Sequence, residues 1–250
     1  MSTEKSNALV IRQADFSESS RVVTFFTREF GKISAVAKGA KRLKGPYEAA
    51  LDLLAECRIV FIRKSSGGLD ILTEAQLVSH FKPNGKDLVS LYGGYYVAEL
   101  LSGLSEDYDP HPVLYDESIA TLHRLAAEEN PRLSLLRFEL VLLREIGQLP
   151  AFEACVVCGT AAEAATSFAF WVSQGGLICR NCQKEEFSHS QNRIQAGTVA
   201  LMRRLSAESE PALTRLVASP AQQREMRQIS TMAISHALGH RPKTLRYLQS

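Results

Sequence analysis

Residues 21–37 read R-V-V-T-F-F-T-R-E-F-G-K-I-S-A-V-A. Arg21 to Thr27 is rich in β-branched and aromatic residues, which suit a pleated, half-buried backbone. Gly31 supplies a turn and Ile33 to Ala37 resumes with rough alternation, so the stretch predicts two adjacent strands. Outward from this pair, Ala8-Leu9-Val10-Ile11 opens an earlier strand. Ala55 to Lys64 is a fourth and Leu69 to Ala75 a fifth, joined by the turn Ser65-Ser66-Gly67-Gly68. Five short strands within residues 7–81, with no helix long enough to cover an open sheet, predict a small closed barrel. The OB-fold is the five-stranded barrel of that size, and its usual ligand is single-stranded nucleic acid or an oligosaccharide.

Between the third and fourth strands lies K-G-A-K-R-L-K-G-P-Y, residues 38–47. Lys38, Lys41, Arg42 and Lys44 stand there with Gly39, Gly45 and, at the exit, Tyr47. Four cations on a glycine-containing loop beside one aromatic suit a phosphate backbone with occasional base stacking. The same composition also suits a solvated surface loop. Arg21, Arg28 and Lys32 extend the surface if the strand direction places them on the same side.

From Asp87 onward the apolar period changes to that of helices. Leu88, Leu91, Tyr92, Tyr95, Tyr96, Leu100 and Leu101 fall largely on one face, interrupted by Gly93-Gly94, a pair that suggests a close helix–helix approach. The three tyrosines read as core-facing with wet hydroxyls. Pro112 and Pro131 start further helices over about 113–127 and 132–146, the latter stopping at Gly147. Gly197–Leu205, Ala212–Ala218 and Gln222–Leu238, ending at Gly239, complete a helical domain. The predicted fold is therefore β then α: a barrel domain over 1–81 and a helical domain over 82–250, with a cysteine element at about 151–187.

That element reads C-V-V-C at 155–158 and C-R-N-C at 179–182, separated by twenty residues. Each C-x-x-C places two sulfurs on one knuckle, and two facing knuckles make a tetrahedron of thiolates for Zn²⁺. Cys155, Cys158, Cys179 and Cys182 would fill the coordination shell and leave no open position, so the site reads as a structural staple. Gly175-Gly176 predicts a hairpin turn before the second knuckle, so the connector looks like a small β-ribbon. Disulfides are the alternative, but nothing in the chain suggests export. Cys57, in an apolar run, reads as a small core hydrophobe.

Composition is that of an ordinary globular chain: 250 residues, 45% hydrophobic, 22% charged and a net charge of +2. The charge is segregated. Residues 1–80 hold 12 Lys/Arg against 9 Asp/Glu, residues 81–150 hold 6 against 11, and residues 151–250 hold 11 against 7. Basic ends around an acidic middle favour a polyanion partner, weakly. No apolar run reaches the roughly 18 residues of a membrane span, and Met1 to Asn7 lacks the apolar core of a signal peptide, so a cytoplasmic protein is expected. Walker, nucleophile-elbow and H-E-x-x-H patterns do not occur. The H-x-E of a zinc deaminase does not occur either. The six histidines are scattered, with His189 near the second knuckle. A binding function is expected, and no enzyme.

Taken in order, these segments resemble the bacterial RecO family of recombination mediators. The resemblance rests first on R-V-V-T-F-F-T-R-E-F-G-K-I-S-A-V-A-K-G-A-K-R at 21–42. It is supported by L-D-I-L-T-E-A at 69–75, Y-Y-V-A-E-L-L at 95–101 and R-F-E-L-V-L-L-R-E-I-G-Q-L-P at 137–150, and by H-A-L-G-H-R-P-K-T-L-R-Y-L near the end. It implies an amino-terminal OB-fold and a helical domain with an inserted four-cysteine zinc element. It also implies binding of single- and double-stranded DNA, annealing of complementary strands, and, with RecR, loading of RecA onto DNA coated by single-strand DNA-binding protein, in the cytoplasm and at the nucleoid. Where the family has a G-A-L-Q-P-F-like strand entry, this chain has E-A-A-L-D-L-L, and Glu48 and Asp52 would weaken DNA contact on that edge. On the helical side, Arg137 and Arg144 lie seven apart on one helix and are candidates for the basic rim of a partner groove; for either one taken singly, solvation or pairing with Glu139 and Glu145 is the leading alternative. A zinc-ribbon protein acting on RNA or the ribosome, and a pure protein–protein adaptor, are the competing readings.

Overall fold

A computed structural model describes residues 2–42, 47–64, 67–83, 88–127, 129–162, 167–183, 193–207 and 217–248, with Glu48 and Ala49 by backbone alone. The chain divides into two compact units, Met1–Pro131 together with Lys243–Ser250, and Arg132–Pro242.

The first unit is built on five strands: β1 (Ser2–Asp15), β2 (Arg21–Thr27), β3 (Gly31–Ala37), β4 (Glu56–Arg63) and β5 (Asp70–Ser79). They close into a barrel in the order β1-β2-β3-β5-β4. β1 is longer than its apolar run because it serves both seams. Residues 2–9 pair with β4 and residues 8–15 with β2, and the register shifts between Val10 and Arg12. Such a bulge bends a strand and strengthens its twist, which lets one strand belong to two sides of a barrel. The parallel pairing of Ala35–Ala37 with Asp70–Leu72 completes the closure.

Alternation does the sorting. In β3, Gly31, Ile33, Ala35 and Ala37 are buried, while Lys32, Ser34 and Val36 are half-exposed on the outer face. The interior is filled by Val10, Val23, Phe25, Ile33, Ile59, Phe61 and Leu72. One end is plugged by the β3–β4 connection, whose 3-10 turn Glu48–Leu51 buries Ala50 and Leu51. Tyr47 is 5% exposed and donates its hydroxyl to the Leu72 carbonyl at 2.9 Å. It is therefore part of the plug, not a stacking surface, because the turn after it aims the ring inward. Cys57 is buried and its thiol is pushed up to about 12, chiefly by burial.

Two helices, α1 (Leu88–Leu104) and α2 (Pro112–Ala126), belong to the same unit. Strands give way to helices around 81/82, and the compact unit runs on through α2 because of its contacts. A Cβ on Gly94 would stand 2.4 Å from the Phe81 ring and 2.8 Å from Leu54, so Gly94 admits these two side chains. Arg28 grips Asp116 of α2 through two hydrogen bonds of 2.8 and 3.0 Å. Tyr96 is buried, Tyr95 is exposed, and Tyr92 stacks on Tyr247 at 4.3 Å. Gly31 has φ +67°, and a Cβ there would lie 2.0 Å from the Asp109 carbonyl oxygen. Gly31→Ala is expected to cost at least about 2 kcal/mol, since left-handed backbone strain of roughly 1–2 kcal/mol adds to a backbone clash that no side chain can relieve. Chemical denaturation of the variant measures this.

The second unit contains α3 (Pro131–Glu145), α4 (Ala196–Ser206) and α5 (Pro220–Leu238), with a sheet of β6 (Ala151–Cys155), β7 (Ser167–Trp171), β8 (Gly176–Cys179) and β9 (Arg193–Gln195) in the order β6-β8-β7-β9. α5 starts with a capping box between Ser219 and Gln222 and stops at Gly239, φ 76°. α3 is buried at every residue from Leu133 to Leu143. Of the expected helix at 212–218, residues 212–216 lie outside the described residues and 217–218 are not helical. Among the described residues no helix is long and apolar enough to cross a membrane.

Candidate nucleic-acid surface and cysteine centre

The cysteine centre forms where two tight turns meet. β6 ends at Cys155, and the first knuckle closes with Gly159, φ 73°, whose amide donates to the Cys155 carbonyl at 2.9 Å. β7 and β8 form the expected ribbon: Trp171 pairs with Gly176 across a turn in which Gly175 takes φ 66°. β8 delivers Cys179, and a 3-10 turn over Arg180–Cys182 delivers the fourth cysteine. The sulfurs of Cys155, Cys158, Cys179 and Cys182 all lie within 4.8 Å of one another. Those of Cys158 and Cys179 are 3.6 Å apart. That spacing is too long for a disulfide. It is close to the ~3.8 Å edge of a tetrahedron with metal–sulfur bonds of about 2.3 Å.

The electrostatics point the same way. The Cys158 thiol is drawn down to about 6, first by the Thr160 hydroxyl and then by the Thr160 backbone. The Cys179 amide approaches the Cys155 sulfur at 3.3 Å. Cys182, hydrogen-bonded to Cys158 and Cys179, is pushed up to about 12. The opposed shifts express one conflict: four clustered thiolates repel one another. A divalent cation at the centre removes the conflict. The donor set therefore fits a metal. His189 lies outside the described residues. Thr160 follows the first knuckle and had no marker in the sequence.

The basic loop has a sharper structure than its composition suggests. Lys38, Lys41 and Arg42 are all exposed, and Lys44 lies outside the described residues. Lys41 is not simply a phosphate-facing cation. Its amide donates to the Ser19 carbonyl at 3.1 Å, and its ammonium sits 2.9 Å from Asp15 and 3.1 Å from the Ser17 carbonyl. Arg21 meets the same carboxylate at 3.5 Å. The Lys41 hydrogen bond is the main influence on the Asp15 carboxyl, which is held below its usual range. Lys41 and Arg21 thus tie the 38–42 loop to the 16–20 loop. Lys32 turns away from this surface: its ammonium donates to the Ser105 and Ser102 carbonyls at 2.6 and 3.3 Å, completing the carboxyl end of α1. The exposed cations at the rim are Lys38 and Arg42, joined by Arg12 of β1.

Arg137 and Arg144 do not line an open groove. Arg137 is 4% exposed and its guanidinium donates to the Leu205 carbonyl at 2.8 Å and the Ala207 carbonyl at 2.5 Å. Arg144 donates to the Ser206 carbonyl at 2.7 Å and to Glu145. Together they satisfy the carboxyl end of α4, where cations complement unpaired carbonyls. The seven-residue spacing placed them on one side correctly, but that side faces α4 because α3 is buried almost all round.

Barrel, helices and four-cysteine sheet make a two-unit chain with a basic rim on one unit and a thiol cluster that could hold a metal in the other. Residues 1–81 match the family model described as Recombination protein O N terminal, and residues 85–246 match Recombination protein O C terminal. A DNA repair protein RecO from Rhodopirellula baltica is 42% identical over 81% of this chain and 75% of its own length. The protein of that name from Myxococcus xanthus is 33% identical over 97% and 95% respectively. One from Listeria monocytogenes is 32% identical over 73% and 70%. The chain belongs to the RecO family.

Proposed function

We propose that this chain is a DNA repair and recombination mediator that works by binding, not by catalysing covalent chemistry. It would bind single- and double-stranded DNA, anneal complementary strands and, with RecR, assist loading of RecA onto DNA coated by single-strand DNA-binding protein. The observation that carries the reading is the match of both halves of the chain, in order, to the two RecO family models. The five-stranded closed barrel supports it: it suits an OB-fold, and such barrels hold oligonucleotides against strands 2 and 3 and the neighbouring loops. The four cysteines would hold one Zn²⁺ as a staple, with no position open for a substrate.

The decisive experiment is annealing of complementary strands coated with single-strand DNA-binding protein, with structured RNA as a competing ligand. Annealing of the coated strands supports the mediator reading; preference for RNA with no annealing overturns it. A loop of cations neutralises phosphates without reading sequence, so affinity should fall steeply with salt. Lys38→Ala and Arg42→Ala should each flatten the slope of log K against log salt by about 0.7, and the double variant by about 1.4. Lys41→Ala should act differently, by loosening the 16–20 loop. Salt titrations on all three variants separate contact from support.

A further inference from the structure

Of the described aromatic side chains in the first unit, Phe16 is the most exposed. It is 60% exposed, at the start of the short connection between β1 and β2. The connection is closely tied. The Phe16 and Ser17 amides donate to the Ser20 carbonyl at 3.1 and 3.2 Å, and the Ser20 amide donates to the Ser17 hydroxyl at 3.1 Å. Lys41 fastens the neighbouring loop to it through Asp15, Ser17 and Ser19. A large apolar ring held out on a braced loop is costly to expose and has little freedom to fold back.

Its surroundings say what it would meet. Lys38 and Arg42 stand on the loop fastened to it, and Arg12 and Ala14 precede it on β1, all exposed. Ala14 is in register with Val22 of β2, Val22 with Val36 of β3, and Val36 with Ile71 of β5. This row runs across the outer face of the barrel, and Val22, Val36 and Ile71 are each half-exposed. A path with cations at its rim, a smooth apolar floor and one aromatic ring matches an unpaired strand, which offers phosphates on one side and flat base faces on the other. Duplex DNA offers no base face, because its bases already stack on each other.

We infer that Phe16 is a base-stacking platform for single-stranded nucleic acid crossing the β2–β3 face, with Lys38 and Arg42 on the flanking phosphates. This rests on the reading of the barrel as the strand-binding part of the molecule, and it adds the residue that separates single strands from duplex. Lys41 and Asp15 are positioning residues in this arrangement: they hold the stacking loop beside the cationic one.

The test uses the full chain and three probes: an oligothymidylate, an abasic oligonucleotide of equal length, and a duplex. Phe16→Ala should lower affinity for oligothymidylate about tenfold or more, the worth of one stacked base, while leaving the salt slope unchanged. Its affinities for the abasic strand and the duplex should equal those of the unsubstituted protein. Phe16→Tyr should restore binding, and Phe16→Trp should add an indole emission that oligothymidylate quenches and the abasic strand does not. Binding of oligothymidylate by Phe16→Ala at full strength, or unquenched emission from Phe16→Trp, would overturn the stacking role while leaving the barrel as a DNA site. Failure of the unsubstituted chain to bind any of the three probes would remove the underlying reading as well.

Discussion

Replacing Cys155 or Cys179 with Ser is expected to take the zinc content from one ion per chain to none and to unfold the second unit's sheet. Both residues are buried, and the two end strands β6 and β8, which pair in parallel. The strands are three to five residues long, too short to hold a sheet through their own ladders. Zinc contributes on the order of 10 kcal/mol in small zinc-dependent folds, comparable with the roughly 5–15 kcal/mol net stability of a whole domain. Loss of such an ion would outweigh the burial of Phe152, Phe168 and Leu177, roughly 1.5–3 kcal/mol each. Metal analysis with a thermal melt measures both effects, and Cys57→Ser is the control that should leave zinc content unchanged. A variant that melts normally without metal would show that the centre is not a staple.

Arg227→Ala should be the most damaging single change away from the cysteines, at about 3–5 kcal/mol. Glu139 is fully buried in α3, and its carboxylate is held by the Arg227 guanidinium and the Ser230 hydroxyl, both on α5. Removing the arginine takes the guanidinium away from a buried carboxylate. Replacing both members by Leu and Met should cost much less, because the uncompensated charge disappears with its partner. Denaturant titrations of the single and double variants form the cycle. Equal losses in both would mean that packing, not charge, dominates the site.

β3 was legible because one of its faces is buried and its period of two is written plainly, and Arg21–Thr27 because its β-branched and aromatic composition marks a strand with the bounds the structure has. The thiol centre was legible because ligand spacing is local, and Gly175 and Gly159 mark the turns that bring the knuckles together. What could not be read was the direction of long side chains whose partners are distant in sequence. Lys32 reaches carbonyls 70 and 73 residues away, and Arg137 one 68 residues away. A cation in a sequence looks the same whether it faces water or a helix end. For Arg137 a signal did exist: the run L-S-L-L-R-F-E-L-V-L-L leaves a helix no polar face, so its charges must be satisfied inside. Tyr47 misled because a loop rich in glycine and lysine precedes it, while the turn that inserts it follows. Phe16 carried no pattern at all, being one apolar residue among serines and acids.

The Glu99 carboxylate of α1 accepts hydrogen bonds from the Lys243 amide at 2.7 Å and the Thr244 amide at 2.9 Å, and Tyr247 stacks on Tyr92. The segment that completes the first unit is thus made after the whole of the second. During synthesis the barrel and its first two helices emerge early, yet α1 keeps an acceptor and an aromatic face waiting through the more than one hundred residues from Arg132 to Pro242. A ribosome stalled before Lys243 would carry a barrel with that seat empty. The order of translation therefore lets the first unit close only after the second has been synthesised.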